Sequence, residues 1–182
     1  RTLNAVRRRN SRLAAIRQEV AAQLAAEYPP AETQRRLGQF PAHYFLSTPP
    51  ERIAADLRIL ARRAPDEIHV EGRFEPETGT VTYRVLTQEH VVSGCFHKLT
   101  GVLTSQRMEI LSAEICTSQD GVIIDSYRVL DHDHTGAVPE FRIEAVAAAV
   151  RRVLTGRAEV EALLTPRRRF GQDARQSPPG RA

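Results

Sequence analysis

Cys95 and Cys116 are the only cysteines among 182 residues. That excludes the disulfide framework of a small secreted domain and predicts a reducing compartment, the cytoplasm. No apolar run approaches the roughly 20 residues that a membrane-crossing helix needs, so no membrane partner is expected. The start, Arg1-Thr2-Leu3-Asn4-Ala5-Val6, lacks the apolar core of a secretory signal and does not begin with Met. The expectation is a piece of a longer or processed protein. Absent as well are a Walker-type loop, a nucleophile–base pair, and the Gly-Ser with a downstream Asp-x-Asp used for nucleotidyl transfer. Neither catalytic residues nor a cofactor are therefore expected in this chain.

What is present begins with ordinary globular composition, 41% apolar and 26% charged residues. The net charge of +4 is concentrated near the ends, at Arg7-Arg8-Arg9 and Arg167-Arg168-Arg169, with the middle near balance. A nucleic-acid module gathers its basic residues on one folded face. The dispersed pattern reads instead as solvated helix and linker ends, with no nucleic-acid partner.

Periodicity divides the chain. Leu13, Ile16, Val20 and Leu24 recur at spacings of three and four, predicting a helix over Leu3 to Tyr28 that Pro29-Pro30 ends. A further helical turn or two is expected over Glu32 to Gly38. Phe40-Pro41-Ala42-His43-Tyr44-Phe45-Leu46 reads as an aromatic connector. Thr48 and Pro49 predict a helix start, with Thr48 as N-cap and Glu51 completing a capping box. Ile53, Leu57 and Leu60 carry its apolar face to about Arg63. The period then changes to two. Ile68 and Val70, then Val81, Tyr83 and Val85, alternate across the turn residues Glu75 to Gly79, a hairpin signature. A helix is expected over Gly94 to Gln106, with Phe96, Leu99, Val102 and Leu103 inward. Strands follow over Met108 to Thr117 and Val122 to Leu130, joined by a turn containing Asp120-Gly121. Pro139 to Leu154 closes the pattern as a helix with Phe141, Ile143, Val146, Val150 and Val153 inward, and Gly156 as its C-cap.

Strand–helix–strand–strand–helix is most of a split βαβ unit, so the fold class expected is α+β and ferredoxin-like, βαββαβ, with its fourth strand missing. Three sources for that strand stay open: residues after Ala182, a partner, or the strand around Ile68 to Phe74. The expected division is a helical segment over 1–38, a connector and helix over 39–66, the α+β unit over 67–156, and a linker and tail over 157–182. Ala158 to Leu164 reads as helical. The Arg-, Pro- and Gly-rich stretch from Pro166 reads as disordered.

Tyr83-Arg84-Val85-Leu86-Thr87, Gly94-Cys95-Phe96-His97-Lys98-Leu99-Thr100-Gly101-Val102-Leu103, Ile110-Leu111-Ser112-Ala113-Glu114-Ile115-Cys116-Thr117 and Asp120-Gly121-Val122-Ile123-Ile124-Asp125-Ser126-Tyr127-Arg128-Val129 resemble an ACT domain. Their wording is nearest to that of the PII-protein uridylyltransferase/uridylyl-removing enzymes. Phe40 to Pro50 resembles the connector those enzymes carry between a phosphohydrolase and an ACT part. The resemblance spans about Gln39 to Gly156. It implies a regulatory unit that senses an amino acid, glutamine or another small one. It also implies neighbouring ACT and catalytic domains, the PII signalling protein as partner, and Mg in the parent enzyme. The ligand residues it implies are Glu89, His90, Ser93, Gly94, Phe96 and Ser112. Family members carry Asp-Arg-Pro-Gly-Leu-Phe at the turn, whereas this chain has Glu89 to Phe96 with Ser93 in the proline's place and about two extra residues. A stand-alone amino-acid-binding protein and a purely structural ACT unit remain the alternatives.

Asp131-His132-Asp133-His134 has metal-ligand residue types, but neighbours along a strand end point apart, and the reading is a polar turn before Thr135-Gly136. Cys95 is expected as a small buried residue rather than a reactive thiolate, and Cys116 as core. Asp125 is open between a turn-stabilising and a functional role. His90 and His97 are expected on the surface.

Overall fold

The computed structural model describes residues 2–160 and 162. The expectations for the tail from Pro166, and for Ala158 to Leu164 beyond its first residues, lie outside that span. Four helices come first: α1 (Thr2–Leu24), α2 (Pro30–Gly38), α3 (Ala42–Ser47) and α4 (Pro50–Arg62). Strands β1 (His69–Glu75) and β2 (Thr80–Gln88) follow. Next come α5 (Cys95–Ser105), β3 (Met108–Thr117), β4 (Val122–Asp131) and α6 (Glu140–Leu154).

The strands form one antiparallel sheet in the order β1-β2-β4-β3. The α+β class with a four-stranded antiparallel sheet is as the periodicity implied. The open question of the fourth strand is also answered: β1, arriving ahead of β2 through the Glu75–Gly79 turn, occupies the position beside it. Gly79 takes φ +64° in that turn, a left-handed value that glycine adopts without strain. Val70 lies across from Val85, Gly72 from Tyr83 and Phe74 from Val81.

Each face of the sheet carries its own core because side chains alternate along a strand. On one face Val81, Tyr83, Val85, Tyr127 and Val129 pack against Leu99, Val102 and Leu103 of α5 and Ile143, Val146 and Val150 of α6. Gly72 is what lets α6 lie close. A Cβ there would stand 2.4 Å from Cγ2 of Ile143 and 2.8 Å from Cε1 of Tyr83. On the other face Leu86, Cys116, Val122 and Ile124 meet Val20, Leu24, Leu37, Phe40, Tyr44, Phe45, Ile53 and Leu57 from the first four helices.

Three local expectations are corrected. Thr48 does not cap α4: it is buried, its N–H closes α3 on the Tyr44 carbonyl at 3.1 Å, and Pro49 is the N-cap of a helix starting at Pro50, without a side-chain cap. Phe40 to Leu46 is not a bare connector but includes the short helix α3, whose Tyr44 and Phe45 are buried. Phe96 and Phe141 do not join the inward stripes and are 52% and 73% exposed. The stripe on α5 runs through Cys95, Leu99, Val102 and Leu103, and Phe96 lies one position, about 100°, round the helix from Cys95. Phe141 stands two positions before Ile143, on the opposite side of α6.

Candidate functional site

β2 ends at Gln88, and the chain turns back over the β3–β4 hairpin before α5 begins. The Glu89 N–H donates to the Gly121 carbonyl at 2.8 Å, and the Val91 N–H to the Gln88 carbonyl at 3.0 Å. His90 is exposed, with Nε2 3.5 Å from Oδ1 of Asp66. Gly94 is the N-cap of α5 at φ +67°, with no side-chain cap. Its left-handed conformation turns the strand exit directly into the helix. Glu89, His90, Ser93, Gly94 and Phe96 therefore stay together at one end of the sheet, all exposed. The ring of Phe96 lies 6.1 Å from that of Tyr127.

Beneath this turn is a polar knot. Asp125 is not in the hairpin turn but mid-strand, across from Val85 and Ile115, and is 1% exposed. Burial pushes its carboxyl up to about 6, while hydrogen bonds from the Cys116 backbone and the Cys95 thiol pull the other way. Burial, followed by the neighbouring Asp125, raises Cys95 to about 12. A thiol held so high is protonated and inert, in keeping with the buried, non-reactive reading of this residue. Oδ1 of Asp125 and the hydroxyls of Thr87 and Tyr127 are buried without a hydrogen-bond partner.

Ser112 is elsewhere. It follows a bulge between Ile110 and Ser112 and lies across from Arg128, which in turn lies across from Thr82, on the face toward α4. There it lines a cavity of about 430 Å³ between that face and the start of α4, together with Thr48, Pro49, Arg52, Arg84, Glu114, Ser126 and Arg128. The structure thus divides the expected ligand residues between two places.

The floor of this cavity rests on a buried ion pair that the sequence reading missed. Arg84 is 8% exposed, Asp56 is fully buried, and the Arg84 guanidinium bonds Oδ2 of Asp56. The Tyr44 hydroxyl donates to the same oxygen at 2.6 Å, and Nε of Arg52 stands 3.5 Å from Oδ1. Burial raises the Asp56 carboxyl; Arg84 first, then the Tyr44 hydroxyl and Arg52, oppose it. Nε of Arg84 has no partner. A signal was available: Arg84 interrupts an apolar strand and Asp56 sits on the apolar side of α4, three residues after Ile53. Charges at such positions are tolerated only as partners.

Asp131-His132-Asp133-His134 forms a brace. The Asp131 carboxylate accepts from Nε of Arg142 at 2.9 Å and from the Asp133 N–H at 2.9 Å, and lies 3.2 Å from Nδ1 of His134. Arg142 also donates to the Gln106 carbonyl at 2.6 Å, tying α6 to the end of α5. His132 faces Glu109 at 3.0 Å. Among the described residues no three His, Cys, Asp or Glu side chains stand close enough to hold a metal, and no helix is long and apolar enough to cross a membrane.

No family model matches the chain. It is 35% identical over 159 residues, 86% of its length, to the bifunctional uridylyltransferase/uridylyl-removing enzyme of Rhodospirillum rubrum. It is 27% identical over 143 residues to the enzyme of the same name from Idiomarina loihiensis, and 24% over 161 residues to that from Erythrobacter litoralis. The chain spans only 16–17% of the length of these relatives.

Proposed function

We propose that this chain is a regulatory region of a bifunctional uridylyltransferase/uridylyl-removing enzyme, an ACT-type unit that senses glutamine. In this reading the parent enzyme transfers UMP to a PII signalling protein and removes it, in the cytoplasm, and Mg serves the parent's catalytic domains. The observation that carries it is the 35% identity to the Rhodospirillum rubrum enzyme across 86% of the chain. The sheet order, with β2-α5-β3-β4-α6 arranged as a split unit, supports the ACT assignment.

The chemistry available to the chain is binding rather than bond making. Gly94 brings backbone close to the surface at the start of α5, where free N–H groups and the helix dipole favour a carboxylate. A ligand held by two packed elements biases their arrangement by its difference in affinity for the two states. Such a ligand would alter activity in domains this chain does not contain.

Grafting tests the reading. The segment of the Rhodospirillum rubrum enzyme that aligns with this chain is replaced by it, and transfer and removal of uridylyl groups are followed as glutamine is raised. The expected outcome is that both activities persist and that glutamine shifts their ratio as in the parent. Persistence of both activities with the parent's glutamine response lost would overturn it.

A further inference from the structure

α1 is seated along only part of its length. Its second half packs on α2, α3 and α4, with Val20 and Leu24 buried and Leu13 and Ile16 partly so. Every residue from Leu3 to Arg12 is exposed, Leu3 by 78% and Val6 by 50%. At 1.5 Å per residue, that free half is roughly 15 Å of helix with no cover of its own.

The apolar stripe of α1 does not stop where the body does. Leu3, Val6, Asn10, Leu13, Arg17, Val20 and Leu24 recur at alternating spacings of three and four, the seven-residue repeat of a helix–helix seam. Arg17 marks the changeover. Its guanidinium lies 4.7 Å from the centroid of the Phe45 ring, which accounts for a charge inside the stripe. The residues beside the stripe change at the same place. In the seated half they are Ala14, Ile16, Ala21 and Gln23, none of them charged. In the free half they are Arg7 and Arg9, which at about 100° per residue fall on either side of the line through Leu3, Val6 and Asn10. A narrow apolar seam with charges on both flanks is the pattern by which one helix selects another.

Those charges have one sign. No Asp or Glu precedes Glu19, and among the described residues Arg7, Arg8, Arg9 and Arg12 form no ion pair. Arg8 and Arg12, four apart, add like-charge repulsion along the helix. A second copy of this chain would bring four more arginines to the seam, so self-pairing is opposed. A nucleic acid would leave Leu3 and Val6 in water, and would meet arginines spread round the helix rather than gathered on one face. An acidic helix satisfies both the seam and its flanks.

We infer that the free half of α1 docks an acidic amphipathic helix of a partner protein. Leu3 and Val6 pack on the apolar residues of that helix, and Arg7 and Arg9 pair with Asp or Glu beside them. Asn10 faces a polar side chain of the partner, the device that fixes register in such seams. Because the other half of α1 is held in the helical core, the partner is fixed relative to the sheet as well.

The test is fluorescence anisotropy of labelled three-heptad peptides titrated with the whole 182-residue chain. One peptide has Leu along its seam, a single Asn, and Glu on both flanks. A second has Lys in place of Glu, and a third scrambles the first. The expected result is saturable binding of the Glu peptide, at least tenfold tighter than of the other two. Leu3→Asn with Val6→Asn should weaken it tenfold or more, and Arg7→Glu with Arg9→Glu should transfer the preference to the Lys peptide. All four positions are exposed, so melting temperatures should stay within error of the parent chain. Binding of the scrambled peptide within twofold of the patterned one, or no binding of either, would overturn the inference. So would preference for a DNA duplex or phosphatidylglycerol vesicles over the Glu peptide, or sedimentation of the chain alone as a dimer.

Discussion

Asp125 is a carboxyl group whose environment opposes its charge. It ionises at about 6 in the fold against an ordinary 3.8. The folded chain therefore holds this proton more tightly than the unfolded chain does. The sign follows: the group favours folding most below pH 3.8, that contribution declines as the pH rises to about 6, and it is absent above. A shift of this size corresponds to about 3 kcal/mol. Asp125→Asn should thus raise stability at pH 7 by up to about 3 kcal/mol and leave it unchanged near pH 3. Urea unfolding of both proteins from pH 3 to 8 checks this through the difference between them, which isolates Asp125 from the oppositely shifted Asp131. Equal stabilities at pH 7 would contradict it. Burial raises the Asp56 carboxyl too, but its carboxylate is paired with Arg84 in the interior. Asp56→Ala should cost roughly 3–5 kcal/mol, the penalty for leaving a buried charge alone, read as a lowered denaturation midpoint.

At the scale of elements, much was legible because helices and strands bury one side at a fixed period. β3 runs over Met108–Thr117 as the alternation implied, and β4, α4 and α6 begin or end within about a residue of their expected bounds. Asp120-Gly121 indicated its hairpin because positive φ is what that pair tolerates, and Gly121 has φ +80°. What escaped was whatever depends on a neighbour distant in sequence. Helical phase alone could have turned Phe96 and Phe141 outward, but nothing local says that Thr48 is buried, or that Ser112 and Gly94 end on different sides of the molecule. The role of Gly72 belongs here too, since its neighbour Ile143 is 71 positions away. Gly72→Ala should force α6 off β1 and destabilise by about 1–3 kcal/mol, the usual penalty for overpacking. Thermal melting reads that loss, and an unchanged melting temperature would mean that α6 can shift freely.

For the whole molecule, the notable arrangement is a sheet sandwiched by two helical layers, with a separate apolar cluster on each face. The first four helices cover Leu86, Val122 and Ile124, so residues up to Arg63 are structurally continuous with the sheet. A chain beginning at Glu67 would expose that face, and an apolar patch of this kind drives association. It should elute as aggregate or oligomer in size-exclusion chromatography while the full chain does not; a monodisperse monomer would show that the helical layer is dispensable.

Glutamine sensing, as proposed for this chain, is read from its melting curve. Unfolding is followed with glutamine raised to millimolar concentration. Any ligand that binds only the folded state stabilises it by mass action. The melting temperature is expected to climb with glutamine and not with an osmotically matched sugar. A melting temperature indifferent to glutamine throughout would contradict it.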